Sequence, residues 1–367
     1  MDYAGRRGRL LERARNEGLD GFLVFNVENS DHPNLFYLTG FTGSFGILVL
    51  AEDPLFLTDP RYTEQAKGQI GDLPLEEIRG DPFPALARAL ADRGLRRIGL
   101  NARTTSVHLL EELRTKVAGV EFRTVDGWVE GMRRIKDPEE IERIREAVHL
   151  TEAGLREALG WLRPGVTEGE IALELEFWYR RHGAQGVAFE LIVAFGEHSA
   201  LPHYRPSPGG RRLVAGDVVL FDIGAKVGGY CADMTRTFSF GEPREEFPEV
   251  YDLVLRANRA AIQGMKAGVS GVEADRLARE VIEAGGWGRE FGHGLGHGVG
   301  IQVHEPPRLS PISQDTLEAG MVVTIEPGIY LPGRFGVRIE DLAVVREDCL
   351  DLLTAFPKDR SEIILSP

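Results

Sequence analysis

Apolar positions along this chain fall into two rhythms. Short apolar runs, GFLVFN (residues 21–26), GILVLA (46–51) and RRIGLN (96–101), read as buried strands, whereas residues 3–17 and 83–94 repeat their apolar positions at helical spacing. Alternation of the two predicts a small α/β domain over residues 1–130. After a junction near 127–134, Asp137-Pro138-Glu139-Glu140 combines an N-cap acid, a proline at the first helical position and acids in the first turn. Ile141, Ile144, Val148, Leu155 and Leu159 then recur near a 3.6-residue period, so a long amphipathic helix opens a second domain, residues 131–367.

The second domain reads as an internal duplication. LRPGVTEGEIALELE (162–176) and MKAGVSGVEADRLAR (265–279) each end a helix, turn at glycine and start another helix with a capping box, Thr167-x-x-Glu170 and Ser270-x-x-Glu273, at an offset of 103 residues. Each copy is followed by an apolar, acid-bearing hairpin, GDVVLFDIGAKVGGYCADMTRT (216–237) and GMVVTIEPGIYLPGRFGVRIEDLAVV (320–345), in which Asp222 and Glu326 lie 104 residues apart. Two such halves would pack about a pseudo-twofold axis with their acids meeting in the middle.

Size and composition narrow the classes. At 367 residues, and at about 150 residues per domain, two or three domains are expected. Content of 43 % hydrophobic and 27 % charged residues, with no apolar run approaching the roughly 18 needed to cross a bilayer, argues against a membrane protein. MDYAGRRGRLLERARNEG lacks the apolar centre of a signal peptide, which points to a cytoplasmic address. Cys231 and Cys349 then read as packing residues rather than a disulfide. A net charge of −14 without a Lys/Arg stripe argues against nucleic acid as a partner.

The hairpin acids carry the chemistry. With Gly228-Gly229 as the turn, Asp222 and Asp233 are expected to face each other, and Glu326 and Glu340 do so about Pro332-Gly333-Arg334. Opposed carboxylates on apolar strands repel, and burying unpaired charge costs several kcal/mol. Arg338, on the strand face of Glu340, can offset one charge of the four; two divalent cations would cancel all.

FGHGLGHGVGIQVHEPP (291–307) places His293 and His297 four apart, the spacing of a zinc-binding helix. Its glycines, each costing about 1 kcal/mol in a helix, argue against that reading. In an extended segment, residues four apart also share a face, and glycine permits close backbone approach. His304, of opposite parity, needs a bend to rejoin them, for which Glu305-Pro306-Pro307 is the candidate.

These residues resemble the M24 metallopeptidases with the "pita-bread" (creatinase/aminopeptidase) fold, and within them the Xaa-Pro peptidases, aminopeptidase P and prolidase. The family's five metal ligands match Asp222 in LFDIGA, Asp233 in CADMTRT, His297 in HGLGHGVG, Glu326 in TIEPG and Glu340 in VRIED. Its further histidines match His203 in SALPH, His293, and His304 in VHEPP, and NLFYLTGF (34–41) is similar to its N-terminal domain. The resemblance implies an α/β N-terminal domain, an α+β pita-bread catalytic domain with a pseudo-twofold repeat, and a homodimer. It also implies hydrolysis of the bond between a first residue and proline in short peptides, with Glu326 as proton shuttle, His203 and His304 stabilising the tetrahedral intermediate, and His293 and Arg338 shaping the pocket. Four carboxylates and one imidazole suit two Mn²⁺ ions, and Co²⁺ or Zn²⁺ could use the same ligands. Two departures, a slightly long SPGGRR loop and His198 where a small polar residue is expected, bear on the pocket.

Related readings compete. Methionine aminopeptidase resembles only the second domain and normally lacks an arginine at the position of Arg338; creatinase lacks the carboxylates; non-catalytic pita-bread proteins lose ligands or gain basic extensions.

Overall fold

The strand-like runs of the N-terminal segment assemble into one mixed six-stranded sheet in a computed structural model that describes all of residues 1–367 except Pro208, in the SPGGRR loop. The chain divides into two units, Met1–Arg133 and Arg134–Pro367. In the first, the strands run in the order Leu75–Glu77, Leu55–Thr58, Phe45–Leu50, Gly21–Val27, Arg97–Asn101, Glu121–Val125. The helices Tyr3–Asn16 and Pro82–Asp92 match the predicted spans within two residues, burying Leu10, Leu11 and Ala14 from one and Leu86, Ala89 and Leu90 from the other. This unit also buries a polar cluster. Asn34 donates to Asp31 (2.8 Å) and Glu130 (2.9 Å), Asn101 donates to Glu130 (2.6 Å), and Arg133 donates to Asn34 (2.9 Å). Burial pushes the Asp31 carboxyl up to about 7, and the charge of Glu130 adds to the effect.

In the second unit, the helices Pro138–Trp161 and Glu168–Arg181 both start with complete capping boxes, at Asp137/Glu140 and Thr167/Glu170. The strands Ile192–Phe195, Asp217–Ile223 and Met234–Phe240 follow as one antiparallel set. The order then repeats: helices Phe247–Gly264 and Gly271–Ala284, then strands Gly296–Gly298, Glu305–Leu309, Val322–Ile325 and Asp341–Val345. Hydrogen bonds repeat with it. Gly165 N–H donates to Leu213 O and Leu213 N–H to Val166 O; Gly268 N–H donates to Leu317 O and Leu317 N–H to Val269 O. Gly165 and Gly268 sit at φ +89° and +88°, a conformation open to glycine and strained for other residues, so the two turns share one backbone requirement.

Two local expectations need correction. Ser270 caps Glu273 N–H at 3.2 Å, but the Glu273 side chain makes no return bond, so the second box is half formed among the described residues. Cys231 is buried, whereas Cys349 is exposed in the turn after Val345 and packs nothing. Leu155, Leu175, Phe221, Phe238, Val254, Val323 and Val345 join helices and strands of both repeats in one apolar core, on which the acid-bearing strands are held.

Candidate metal centre

Strand register sets which acids meet. The pairing Val227↔Tyr230 around Gly228-Gly229 propagates to Asp222↔Thr235, so Asp222 faces Thr235 and not Asp233. Asp233 lies two residues before Thr235 and therefore diagonal to Asp222; the expectation of direct opposition was out by two residues. In the second hairpin, Gly328↔Arg338 and Ile325↔Asp341 bracket Glu326 and Glu340, whose opposition holds. Thr235, which chemistry-bearing patterns did not single out, is central: it donates to Glu340 Oε2 (2.7 Å) and accepts from Arg338 Nε (3.0 Å).

Before Glu305 the only strand of the histidine segment is Gly296–Gly298, lying between Glu305–Leu309 and Val322–Ile325. The glycines are required there, since a Cβ on Gly296 would lie 2.2 Å from Thr324 O and one on Gly298 2.3 Å from Pro306 O. The bend that returns His304 falls in residues 299–304; Glu305-Pro306-Pro307 are strand residues and not the turn. The reason is pairing: Gly298 already faces Glu305, so the reversal must precede it. His297 and His304 rings end 4.4 Å apart.

His297 is oriented as a ligand. Its Nδ1 lies 3.1 Å from Gly298 O, and its Nε2 faces Glu326 Oε1 (3.3 Å) and Asp233 Oδ2 (3.7 Å). Burial opposes a charge on the ring, but Glu326 outweighs it and raises the pKa of His297, so Nε2 holds a proton where a cation would otherwise take its lone pair. His293 is held differently. Its Nδ1 is 2.8 Å from Gly294 O and its Nε2 2.9 Å from the Tyr330 hydroxyl, which accepts from Arg338 Nη1 (2.7 Å). Arg338 then donates to Asp222 Oδ2 at 2.6 Å, so Arg338 contacts one acid directly and His293 only through Tyr330. Tyr330 had no sequence signal beyond its apolar strand.

The electrostatics are those of a cation site. Burial raises Asp222, against the pull of Arg338; burial and then the charge of Glu340 raise Asp233 well above the ordinary range; burial and then Glu326 do the same for Glu340. Burial also opposes ionisation of Glu326, but hydrogen bonding and charge from His297 outweigh it and hold the carboxyl at about 2. Glu340 Oε1 is buried with no hydrogen-bond partner, and no donor reaches the Asp233 carboxylate, among the described residues. Asp233, His297 and Glu340 each offer one ligand atom within 4.8 Å of the others. An orphaned buried carboxylate oxygen beside an aimed imidazole nitrogen fits a divalent cation and costs free energy without one.

All nine sequence-predicted residues line a single cavity of about 580 Å³, with His203 and His304 on its exposed side. Residues 142–347 match the model of metallopeptidase family M24, and residues 6–135 match that of the creatinase/prolidase N-terminal domain. The chain belongs to the M24 metallopeptidases. An M24 relative in Bacillus subtilis, the peptidase YqhT, is 40 % identical over 354 residues, 95 % of this chain and 98 % of that one. Among solved structures, the Xaa-Pro dipeptidase from Bacillus anthracis is similar at 38 % identity and TM-score 0.93, covering 99 % of this chain and 100 % of its own. The X-Pro aminopeptidase from Thermotoga maritima is similar at 41 % identity and TM-score 0.90, covering 97 % and 100 %. M24 membership makes the chain a metallopeptidase of the pita-bread fold, and no helix among its described residues is long and apolar enough to cross a membrane.

Proposed function

We propose that the protein is a two-metal Xaa-Pro peptidase that acts best on dipeptides. The observation that carries the metal reading is the convergence of Asp222, Asp233, His297, Glu326 and Glu340 on one cavity, with a buried Glu340 oxygen lacking a donor. When bound there, two divalent ions, Mn²⁺ by the hardness of the donors, lower the pKa of the attacking water and polarise the scissile carbonyl. Glu326, whose carboxylate faces the cavity beside His297, would accept the proton of that water and deliver it to the departing proline nitrogen. Burial lowers His304, so it is neutral at pH 7 and, with His203, donates to the oxygen of the tetrahedral intermediate. Arg338 and Tyr330 hold Asp222 and His293 in place.

Dipeptide preference rests on Arg308, which sequence reasoning missed. It lines the cavity, pairs with His297 across adjacent strands and so shares its face, and its guanidinium has no hydrogen-bond or ion-pair partner among the described residues. An unpaired guanidinium beside the reacting centre suits a free carboxylate, which Xaa-Pro carries immediately after its scissile bond and a longer peptide does not. Hydrolysis of Ala-Pro, Ala-Pro-Ala and longer peptides, with manganese supplied after chelator treatment, tests both parts. Ala-Pro should be cleaved with the highest kcat/KM; faster cleavage of Ala-Pro-Ala would make the enzyme an aminopeptidase P, and full activity in chelator would remove the metals.

A further inference from the structure

We propose that Glu168 is the positioning residue for His203, a role that rests on reading His203 as a group facing the substrate. Glu168 occupies the first turn of the helix Glu168–Arg181 and is fully buried. Its carboxylate gathers four donors from one stretch of chain. Phe195 N–H (2.7 Å) and His198 Nδ1 (2.9 Å) meet Oε1, while the Tyr204 hydroxyl (2.6 Å) and Arg211 N–H (3.1 Å) meet Oε2. His203 is the neighbour of Tyr204 inside that stretch, and the His198 ring stacks on Tyr204 with centroids 4.5 Å apart. Beyond Phe195, the last residue of the strand Ile192–Phe195, the described residues up to Arg211 belong to no strand and include one short 3₁₀ turn at Gly196–Ala200, so no sheet ladder holds His203 in place. A buried anion contacting both ends and the middle of an irregular loop is what replaces it.

The second repeat shows that this is a device and not an incident of helix capping. The residue 103 positions after Glu168 is Gly271, which has no side chain to offer. One turn later on the same helix, Asp275 accepts Leu295 N–H at 2.9 Å and binds Arg279, which donates to Phe291 O and His293 O. Each half thus clamps its histidine-bearing segment with one buried carboxylate from the corresponding helix.

Glu168→Gln separates positioning from simple stability. Gln keeps only one acceptor oxygen, so the Phe195 and Arg211 N–H groups, which bond different oxygens of Glu168 and can only donate, no longer both find a partner, and the stretch that carries His203 loses one of its two backbone anchors. Misplacement of a reacting group by about 1 Å lowers rates by up to roughly 100-fold. We therefore expect kcat on Ala-Pro to fall by about 10- to 100-fold, with manganese content unchanged, because Glu168 touches none of the proposed ligands. Introduced into His203→Ala, the same change should lower kcat no further. Tyr204→Phe, which removes one bond and keeps the ring, should follow the same pattern with a smaller loss and serves if Glu168→Gln does not fold. Equal losses with and without the His203 imidazole would overturn the positioning role while sparing the peptidase reading. A His203→Ala enzyme of undiminished kcat would overturn both roles. If the unaltered protein cleaves no Xaa-Pro peptide, the peptidase reading fails alone, and hydrogen exchange across residues 195–211 decides the clamp: it must quicken in Glu168→Gln.

Discussion

Arg338→Met gives the sharpest test of the charge arrangement. The guanidinium is buried, at 3 % exposure, and donates to Asp222, Thr235 and Tyr330. Methionine approximates its volume and removes its charge, leaving Asp222 facing a cluster of like-charged neighbours. Taking one partner from a buried pair costs about 3–5 kcal/mol. The unit Arg134–Pro367 has 234 residues. For a domain of that size each kcal/mol moves Tm by about 2–4 °C, so its calorimetric transition in chelator should fall by roughly 6–20 °C. With ions bound, Asp222 has a new positive neighbour, and most of that loss should be recovered. By linkage the recovery reappears as tighter ion binding, about tenfold for each 1.4 kcal/mol, measurable by titration calorimetry. The variant should thus bind manganese more tightly and still hydrolyse Ala-Pro more slowly, since Tyr330 and His293 lose their anchor. A Tm decrease of the same size in chelator and in saturating manganese would refute the coupling.

His297→Ala should lose manganese on dialysis, while His304→Ala should retain it and turn over slowly; equal metal loss by elemental analysis would reverse the roles. Asp31 ionises near 3.8 in the unfolded chain and about 7 in the folded one, so the folded state holds its proton longer. Its contribution is complete below pH 4, falls as pH rises and is gone above 7, a span of about 4 kcal/mol. Asp31→Asn should therefore stabilise the N-terminal unit at pH 8 and not at pH 4; a Tm gain independent of pH would contradict this. Arg308→Ala should raise KM for Ala-Pro by at least about tenfold, as expected for losing a charged hydrogen bond of 1.5–3 kcal/mol, and leave Ala-Pro-Ala nearly unchanged. Equal effects on both substrates would detach Arg308 from the terminal carboxylate.

Periodicity and capping made the helices legible, because an N-cap acid, Pro138 and a 3.6-residue apolar stripe all require the same local geometry. The second hairpin was legible for a similar reason: its turn alone fixes Glu326 opposite Glu340. In the first hairpin the same arithmetic, applied to a two-residue turn, gives Asp222 opposite Thr235, so the turn carries that register too. Glu168 was not legible. As a sequence feature it is an acid in a helical first turn, where acids are favoured in any protein, and only tertiary folding brings four donors from residues 195–211 to it. Tyr330 was hidden likewise, its hydroxyl acquiring meaning only from Arg338 and His293.

The matched turns at Gly165 and Gly268 mark two copies of one unit, yet neither copy carries a whole ligand set: Asp233 comes from the first, His297 and Glu340 from the second. An ion among those three would tie together positions 107 residues apart along the chain. A covalent bond closing a loop of about that length restricts the unfolded chain by roughly 4.7 kcal/mol, and a cation bound only in the folded state acts in the same sense. Each copy is in that respect half of a staple. Neither could be replaced or allowed to unfold alone without opening the site, so the two copies act as a single indivisible unit.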